Sequence, residues 1–350
     1  QESHGRDSCF SCIVRCKRVA ERKEGPFLVD PVFGGPEYET LSTLGSYCGV
    51  GNLAAVCKAN ELCNKYGVDT ISCGATISWA MEAFEAGQLT TEHTGGLEIR
   101  FGDADMVVKL VEMIATREGF GDLLAEGSAR AAEKLGFGQE FLITSKKQEA
   151  PAHMPQVKRG LALLYAMNPF GADHMGCDHD PSYSKENYPA FEERLSFLGL
   201  TDPLHAYSLQ PAKVEWVRRT QYLFSFMDSA NLCQLCWGAS WTLYGPQDMV
   251  KLVKAVTGWE MSIDEILEVG ERRLVMMRLF NQREGFGAKD DSLPEKFFNQ
   301  PLQGGVSDQL TVDQAEFDAA MVEYYRQSGW DETSGHPTSE TVARLGLEAL

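Results

Sequence analysis

Apolar residues recur every three to four positions along most of the chain, the period of a helix with one buried face. In "NLAAVCKANELCNKY", residues 52–66, Leu53, Val56, Cys57, Leu62 and Cys63 fall mostly on one stripe, and Gly67 follows as a stop. "CGATISWAMEAFEAG" places Ile77, Ala80, Met81 and Phe84 together and stops at Gly87. A third helix is predicted over "DADMVVKLVEMIATREG", with Met106, Val107, Leu110, Val111 and Ile114 on one face, acidic residues in the first turn and Gly119 at the end. The Ala-rich "GDLLAEGSARAAEKLG" predicts a fourth, capped by Asp122 and closed at Gly136.

The stretch from Ser145 to Pro189 reads differently. It is rich in Pro, Gly, Asp and His, which is loop chemistry with short apolar runs inserted. Helical periodicity returns at residues 214–226, 247–256 and 262–280, a charged Gly- and Pro-containing segment covers 281–305, and a last helix is predicted near 312–327. No alternating apolar and polar run of strand length stands out, and no internal repeat. The fold class is therefore mainly α.

At 350 residues with 43% hydrophobic content, the chain can bury a substantial core and has the length of two domains. No apolar run approaches a membrane span, and the first residues lack the layout of a signal peptide, which predicts a cytoplasmic protein without a membrane partner. The net charge of −18 disfavours nucleic acid as a partner. Within that acidic whole, Arg15, Lys17, Arg18, Arg22 and Lys23 form a basic patch, read either as a solvated helical face or as a docking site for an acidic partner. The first methionine is Met81 and Gln1 lies eight residues before a cysteine cluster, which suggests a fragment or a mature chain lacking an N-terminal domain.

That cluster is "CFSCIVRC", with Cys9, Cys12 and Cys16 among ten cysteines. Inside a reducing cell, clustered cysteines point to metal rather than to disulfides. Three thiolates on one tight loop suit three corners of a cubane iron–sulfur cluster, whereas zinc is usually held by two separated pairs. The spacing thus favours iron–sulfur. A fourth ligand must come from elsewhere, with Cys48 and Cys233 both open; Cys57, Cys63 and Cys73 read as small core residues, as does Cys48 if it is not a ligand. Neither G-x-G-x-x-G nor a P-loop occurs, so nucleotide cofactors are not indicated.

With this cluster segment, "GPEYETL", the long "GLEIRFGDADMVVKLVEMIATREGFGDLLAEGSARAAEKLG" and the C-terminal "YYRQSGWDETSGHPTSETVARLGLEAL", the whole chain resembles the C-terminal part of the tungsten-containing aldehyde ferredoxin oxidoreductases. The resemblance implies two helical domains, 1–150 with the cysteine triplet and 151–350 with the fourth cysteine, and an absent β-rich N-terminal domain. It further implies a [4Fe–4S] cluster held by Cys9, Cys12, Cys16 and Cys233, and a tungsten (or molybdenum) bis-pyranopterin gripped by two Asp-x-x-Gly-Leu-Asp/Cys motifs. The first motif here is Asn64-Lys65-Tyr66-Gly67-Val68-Asp69, and the second is Asp228-Ser229-Ala230-Asn231-Leu232-Cys233. Asn64 offers a neutral acceptor where a carboxylate would take two pterin N–H groups, which implies a weaker or rearranged first grip. Asn231 replaces the turn glycine, a milder change because Asn tolerates left-handed backbone.

The activity implied is oxidation of a small aldehyde to a carboxylic acid, with ferredoxin as electron acceptor, and it is compatible with a homo-oligomer. Alternatives are a benzoyl-CoA-type aromatic ring reductase subunit and an electron-transfer protein without active tungsten. Acid–base chemistry falls to Glu37 and Glu39, which alternation in an extended segment would put on one side, and to His174, with His179 as second choice. "DHMGCDHD" can also be read as a small metal site around Cys177. His153 lies in a segment that matches the family without an assigned role, and His4, His93, His205 and His336 read as surface residues.

Overall fold

The structure, a computed structural model, describes residues 5–350, and His4 lies outside them. Among these residues are fourteen α-helices and two short antiparallel ribbons, and the fold is mainly α. The chain divides into two compact units, 1–152 and 153–350. No described helix is long and apolar enough to cross a membrane.

The first unit opens with β1 (Gly5–Asp7) and β2 (Lys17–Val19), paired so that Asp7 faces Lys17. The basic segment is thus a ribbon and not the helical face that its charge pattern allowed. Helix α1 (Tyr38–Leu41) leads into a π-helical turn, Ser42–Ser46. The core helices are α2 (Leu53–Tyr66), α3 (Thr70–Glu85) and α4 (Ala104–Thr116). Each starts on a side chain that satisfies an otherwise unpaired N–H: Asn52 accepts from Ala54 and Ala55, Asp69 from Ser72 and Asp103 from Met106. Gly67 ends α2 at φ 72°, where a side chain would be strained. Leu44, Ile77, Met81, Leu89, Ile99, Leu110 and Val111 form the centre of the core.

The predicted fourth helix is two helices, α5 (Phe120–Leu124) and α6 (Ser128–Leu135), because Gly127 sits at φ 87° between them. Asp122 lies inside α5 rather than capping it. The unit ends in a tight ribbon, β3 (Thr144–Ser145) with β4 (Gln148–Glu149).

In the second unit, α7 (Arg159–Met167), which sequence periodicity did not delimit, is buried along its whole length. After α8 (Tyr188–Phe197) come α9 (Pro211–Ser229), α10 (Pro246–Thr257), α11 (Ile263–Arg283), α12 (Lys296–Asn299), α13 (Gln314–Ser328) and α14 (Ser339–Arg344). Helices α9 and α11 cross so closely that a Cβ on Gly270 would lie 1.8 Å from the Tyr222 carbonyl oxygen. Two ion pairs are sealed inside this unit, Lys213 with Asp180 and Arg278 with Asp291, each with both side chains fully buried.

Candidate functional site

In the first unit, the pairing of Asp7 with Lys17 closes a loop over residues 8–16 that carries all three N-terminal cysteines. Ser11 and Arg15 take left-handed backbone, at φ 55° and 49°, which lets so short a loop turn repeatedly. The Cys12 N–H donates to the Cys9 carbonyl, and the Arg15 guanidinium to the Arg6 carbonyl. Cys9 is exposed and Cys12 and Cys16 half-buried, with Phe10 and Ile13 projecting beside them. The Cys48 thiol, by contrast, is sealed in the core, where it donates to the carbonyls of Thr43 and Gly74 and where burial pushes its pKa up to about 12. Cys57, Cys63, Cys73 and Cys177 are also buried. The accessible cysteines are therefore Cys9, Cys12, Cys16, Cys233 and Cys236.

The two glutamates differ in environment. The segment is helical, not extended, so Glu37 is exposed at the start of α1 while Glu39, one position into it, is buried and accepts a 2.7 Å hydrogen bond from the Ala152 N–H. In the first Asn-x-x-Gly-Val-Asp segment, the Asn64 amide donates to the Phe33 carbonyl at 2.8 Å, a bond an aspartate could not make. Val68 packs against the core and Asp69 caps α3.

In the second unit, Asp228 stands in the last turn of α9, 3.1 Å from the Arg273 guanidinium. Asn231 is left-handed at φ 59°, the geometry that its place in the glycine position demands. Leu232 N–H returns to the Met227 carbonyl, and Cys233 follows, exposed, with its own carbonyl accepting from Cys236 and Trp237.

The structure brings together three histidines and a lysine. Ring centroids of His153 and His174 lie 4.9 Å apart and those of His153 and His179 4.6 Å apart. Lys158 donates to Nδ1 of His153 at 2.9 Å and to Nδ1 of His179 at 3.0 Å. Both Nδ1 atoms thus act as acceptors, which puts the ring proton on Nε2; the 2.8 Å bond from His179 Nε2 to the His174 carbonyl agrees. Burial, and then the Lys158 cation, push His153 down to about 3; burial, then His179 and Lys158, bring His174 to about 4. His179 is lowered by burial and Lys158. At neutral pH the cluster is three neutral imidazoles beside one cation.

Around His174 and His179, the side chains of Cys177, Asp178 and Asp180 are each engaged with protein partners. The Cys177 thiol is buried and donates to the Asp178 carbonyl, Asp178 accepts from Ser182 and Ser240, and Asp180 is bound to Lys213 and the Gly160 N–H. These side chains hold the loop in place. A cavity of about 370 Å³ adjoins Lys158 and His179, walled by Met175, Pro181, Phe224 and Trp241. Lys158 and Trp241 escaped the sequence reading, since nothing local marks a lysine that will bridge its neighbour His153 to the more distant His179. Of the histidines expected on the surface, His93 and His205 are exposed, while His336 is half-buried with Nε2 3.2 Å from the Phe286 carbonyl.

A model of aldehyde ferredoxin oxidoreductase, domains 2 and 3, matches residues 1–347. The chain belongs to this family. Among its curated relatives, the tungsten-containing aldehyde ferredoxin oxidoreductase of Pyrococcus horikoshii is 35% identical over 349 residues, covering 97% of this chain and 52% of that protein. The tungsten-containing enzyme of the same name from Pyrococcus furiosus is 34% identical over 344 residues, again with 52% covered. A WOR-like subunit of an aliphatic sulfonate oxidoreductase, also from Pyrococcus furiosus, is 26% identical over 344 residues. The chain spans about half the length of the curated relatives it matches. Among solved structures, the active site complex BamBC of benzoyl coenzyme A reductase superposes with a TM-score of 0.79 at 21% identity, covering 99% of this chain and 53% of that one, a likeness of fold.

Proposed function

We propose that this aldehyde ferredoxin oxidoreductase family chain belongs to an enzyme that oxidises an aldehyde to a carboxylic acid, at a tungsten (or molybdenum) bis-pyranopterin centre, and passes the electrons through a [4Fe–4S] cluster to ferredoxin. The observation that carries the reading is the sorting of the cysteines: the three of the N-terminal loop, Cys233 and its neighbour Cys236 reach solvent, while Cys48 is buried. An accessible thiolate is a soft ligand, and three on one closed loop fit three corners of a cubane. Cys233 is the fourth ligand in this proposal.

The reaction is RCHO + H2O → RCOOH + 2 H+ + 2 e−. A metal carried by that pterin would supply the two-electron acceptor. The residues proposed to hold the pterin are Asp69, Asp228, Asn231 and Leu232, with Asn64, Gly67 and Val68 completing the first motif. His174, with His153 stacked beside it, is proposed for the acid–base role in the neutral state that burial imposes, without placing a second cation beside Lys158. His179 is occupied by Lys158 and the His174 carbonyl, which suits it to orienting the others. Glu39, buried and fixed by the Ala152 N–H, is the carboxylate better placed than exposed Glu37 to take a proton. Arg15, Lys17, Arg18 and Lys23, all exposed on or after the cluster loop, supply positive charge for an acidic ferredoxin.

The test is metal and acid-labile sulfide content of the anaerobically purified full-length protein, wild type beside Cys233→Ser and Cys48→Ser. About four irons per chain with tungsten or molybdenum, and cluster loss in Cys233→Ser alone, are expected. Iron without tungsten or molybdenum would replace the enzyme by an electron carrier, and zinc in place of iron would end the redox reading. Reduction of an aromatic acyl thioester, with no aldehyde oxidised, would favour the ring reductase.

A further inference from the structure

The wall of the 370 Å³ cavity contains a residue in an unusual state. Trp241 has φ 48°, in the left-handed region that bulky side chains avoid, and its indole is 62% exposed. Its neighbours explain how it is held. Ser240 donates at 2.7 Å to buried Asp178, and on the other side the Arg194 guanidinium binds the carbonyls of Thr242 at 3.0 Å and Leu243 at 3.2 Å. The base of the loop is closed by Gly238 N–H to the Tyr244 carbonyl and Tyr244 N–H to the Cys236 carbonyl. Pinned on both flanks, the backbone turns through a left-handed residue and lifts the indole onto the cavity rim, where it leans on Phe191 at 4.6 Å between centroids. Phe224, from α9, lines the same cavity, as do Met175 and Pro181, and its polar members include Lys158 and His179.

A cavity with two aromatic rings and a hydrogen-bonding, cationic corner discriminates by size and by polarity at one end. A two-carbon aldehyde would leave most of the volume to water, whereas an aryl group would cover Phe224 and the indole with its carbonyl end toward Lys158. We propose that Trp241 is a specificity-determining residue of this cavity, and that the substrate class it selects is aromatic aldehydes. This rests on the aldehyde-oxidising reading above.

The experiment uses full-length holoenzyme, comparing kcat/KM for benzaldehyde and acetaldehyde in wild type, Trp241→Phe and Trp241→Gly, together with equilibrium dialysis of benzoate against the same proteins. Glycine takes the left-handed backbone without strain, so the loop keeps its path and the variant folds. The benzaldehyde preference should fall about tenfold or more in Trp241→Gly, with benzoate binding weakened in parallel and both largely retained in Trp241→Phe. Equal ratios in wild type and Trp241→Gly, with both aldehydes turned over, would overturn the proposal and leave aldehyde oxidation standing. Benzoate binding that depends on Trp241 in a protein that oxidises no aldehyde would support the aromatic site and remove the proposed reaction.

Discussion

Replacing Lys213 by methionine tests how the histidine loop is held. The Lys213 ammonium lies 2.8 Å from Asp180 Oδ1 with both side chains fully buried, and it also donates to the His205 carbonyl. At an effective dielectric of about 20, an attraction at that distance is roughly 6 kcal/mol before desolvation is counted. Removing the cation alone leaves a buried carboxylate with the Gly160 N–H as its remaining donor, and such a break costs about 3–5 kcal/mol. For a domain of 150–250 residues this is a fall of about 6–20 °C in Tm. Asp180→Asn added to Lys213→Met removes the stranded charge and should restore much of the loss. The assay is urea denaturation of wild type, both single variants and the double variant, read as a double-mutant cycle; a coupling of about 2 kcal/mol or more is expected. Single effects that add to within about 0.5 kcal/mol would refute the claim that the pair holds Asp180, and with it the adjoining His179, in place.

Gly270→Ala should destabilise the second unit by about 1–3 kcal/mol or more, since its Cβ would meet the Tyr222 carbonyl at 1.8 Å and the two helices would have to move apart; an unchanged urea midpoint would contradict the close crossing. For His153, the folded pKa of about 3 lies below the ordinary 6.5, so the unfolded chain binds a proton that the folded one refuses. Stability contributed by this group is intact above about pH 6.5 and is lost as pH falls toward about 3. His153→Gln should flatten the urea midpoint over that window, and an identical slope in wild type and variant would show that His153 is not the group responsible.

The helices of the first unit were legible because an apolar stripe needs no distant partner to be read and glycines such as Gly67 and Gly136 mark a stop locally. The caps Asn52, Asp69 and Asp103 emerged only in the structure. The break at Gly127 was not legible, since one glycine in an Ala-rich run is compatible with a helix until packing puts it at φ 87°. Helix α7 lacked an amphipathic stripe because every face of it is buried, and so its text resembled an apolar insertion in a loop. Glu37 and Glu39 were misread for a related reason: a single helical turn is too short to show its period, and the structure separates them into an exposed and a buried carboxylate. At the histidine cluster, the sequence supplied the residue types, but the meeting of His153 and Lys158 with His179 is a tertiary event. Burial and that cation then set the neutral state of the rings, which no local pattern encodes.

The loop from Trp237 to Tyr244 keeps its course through Ser240, through the backbone carbonyls that Arg194 grips and through the closure at its base; the indole between these fastenings is not one of them. Position 241 can therefore change over generations at little cost to folding. The cavity rim can thus be reshaped by substitution at one position while Ser240 and Arg194 keep the loop on its course.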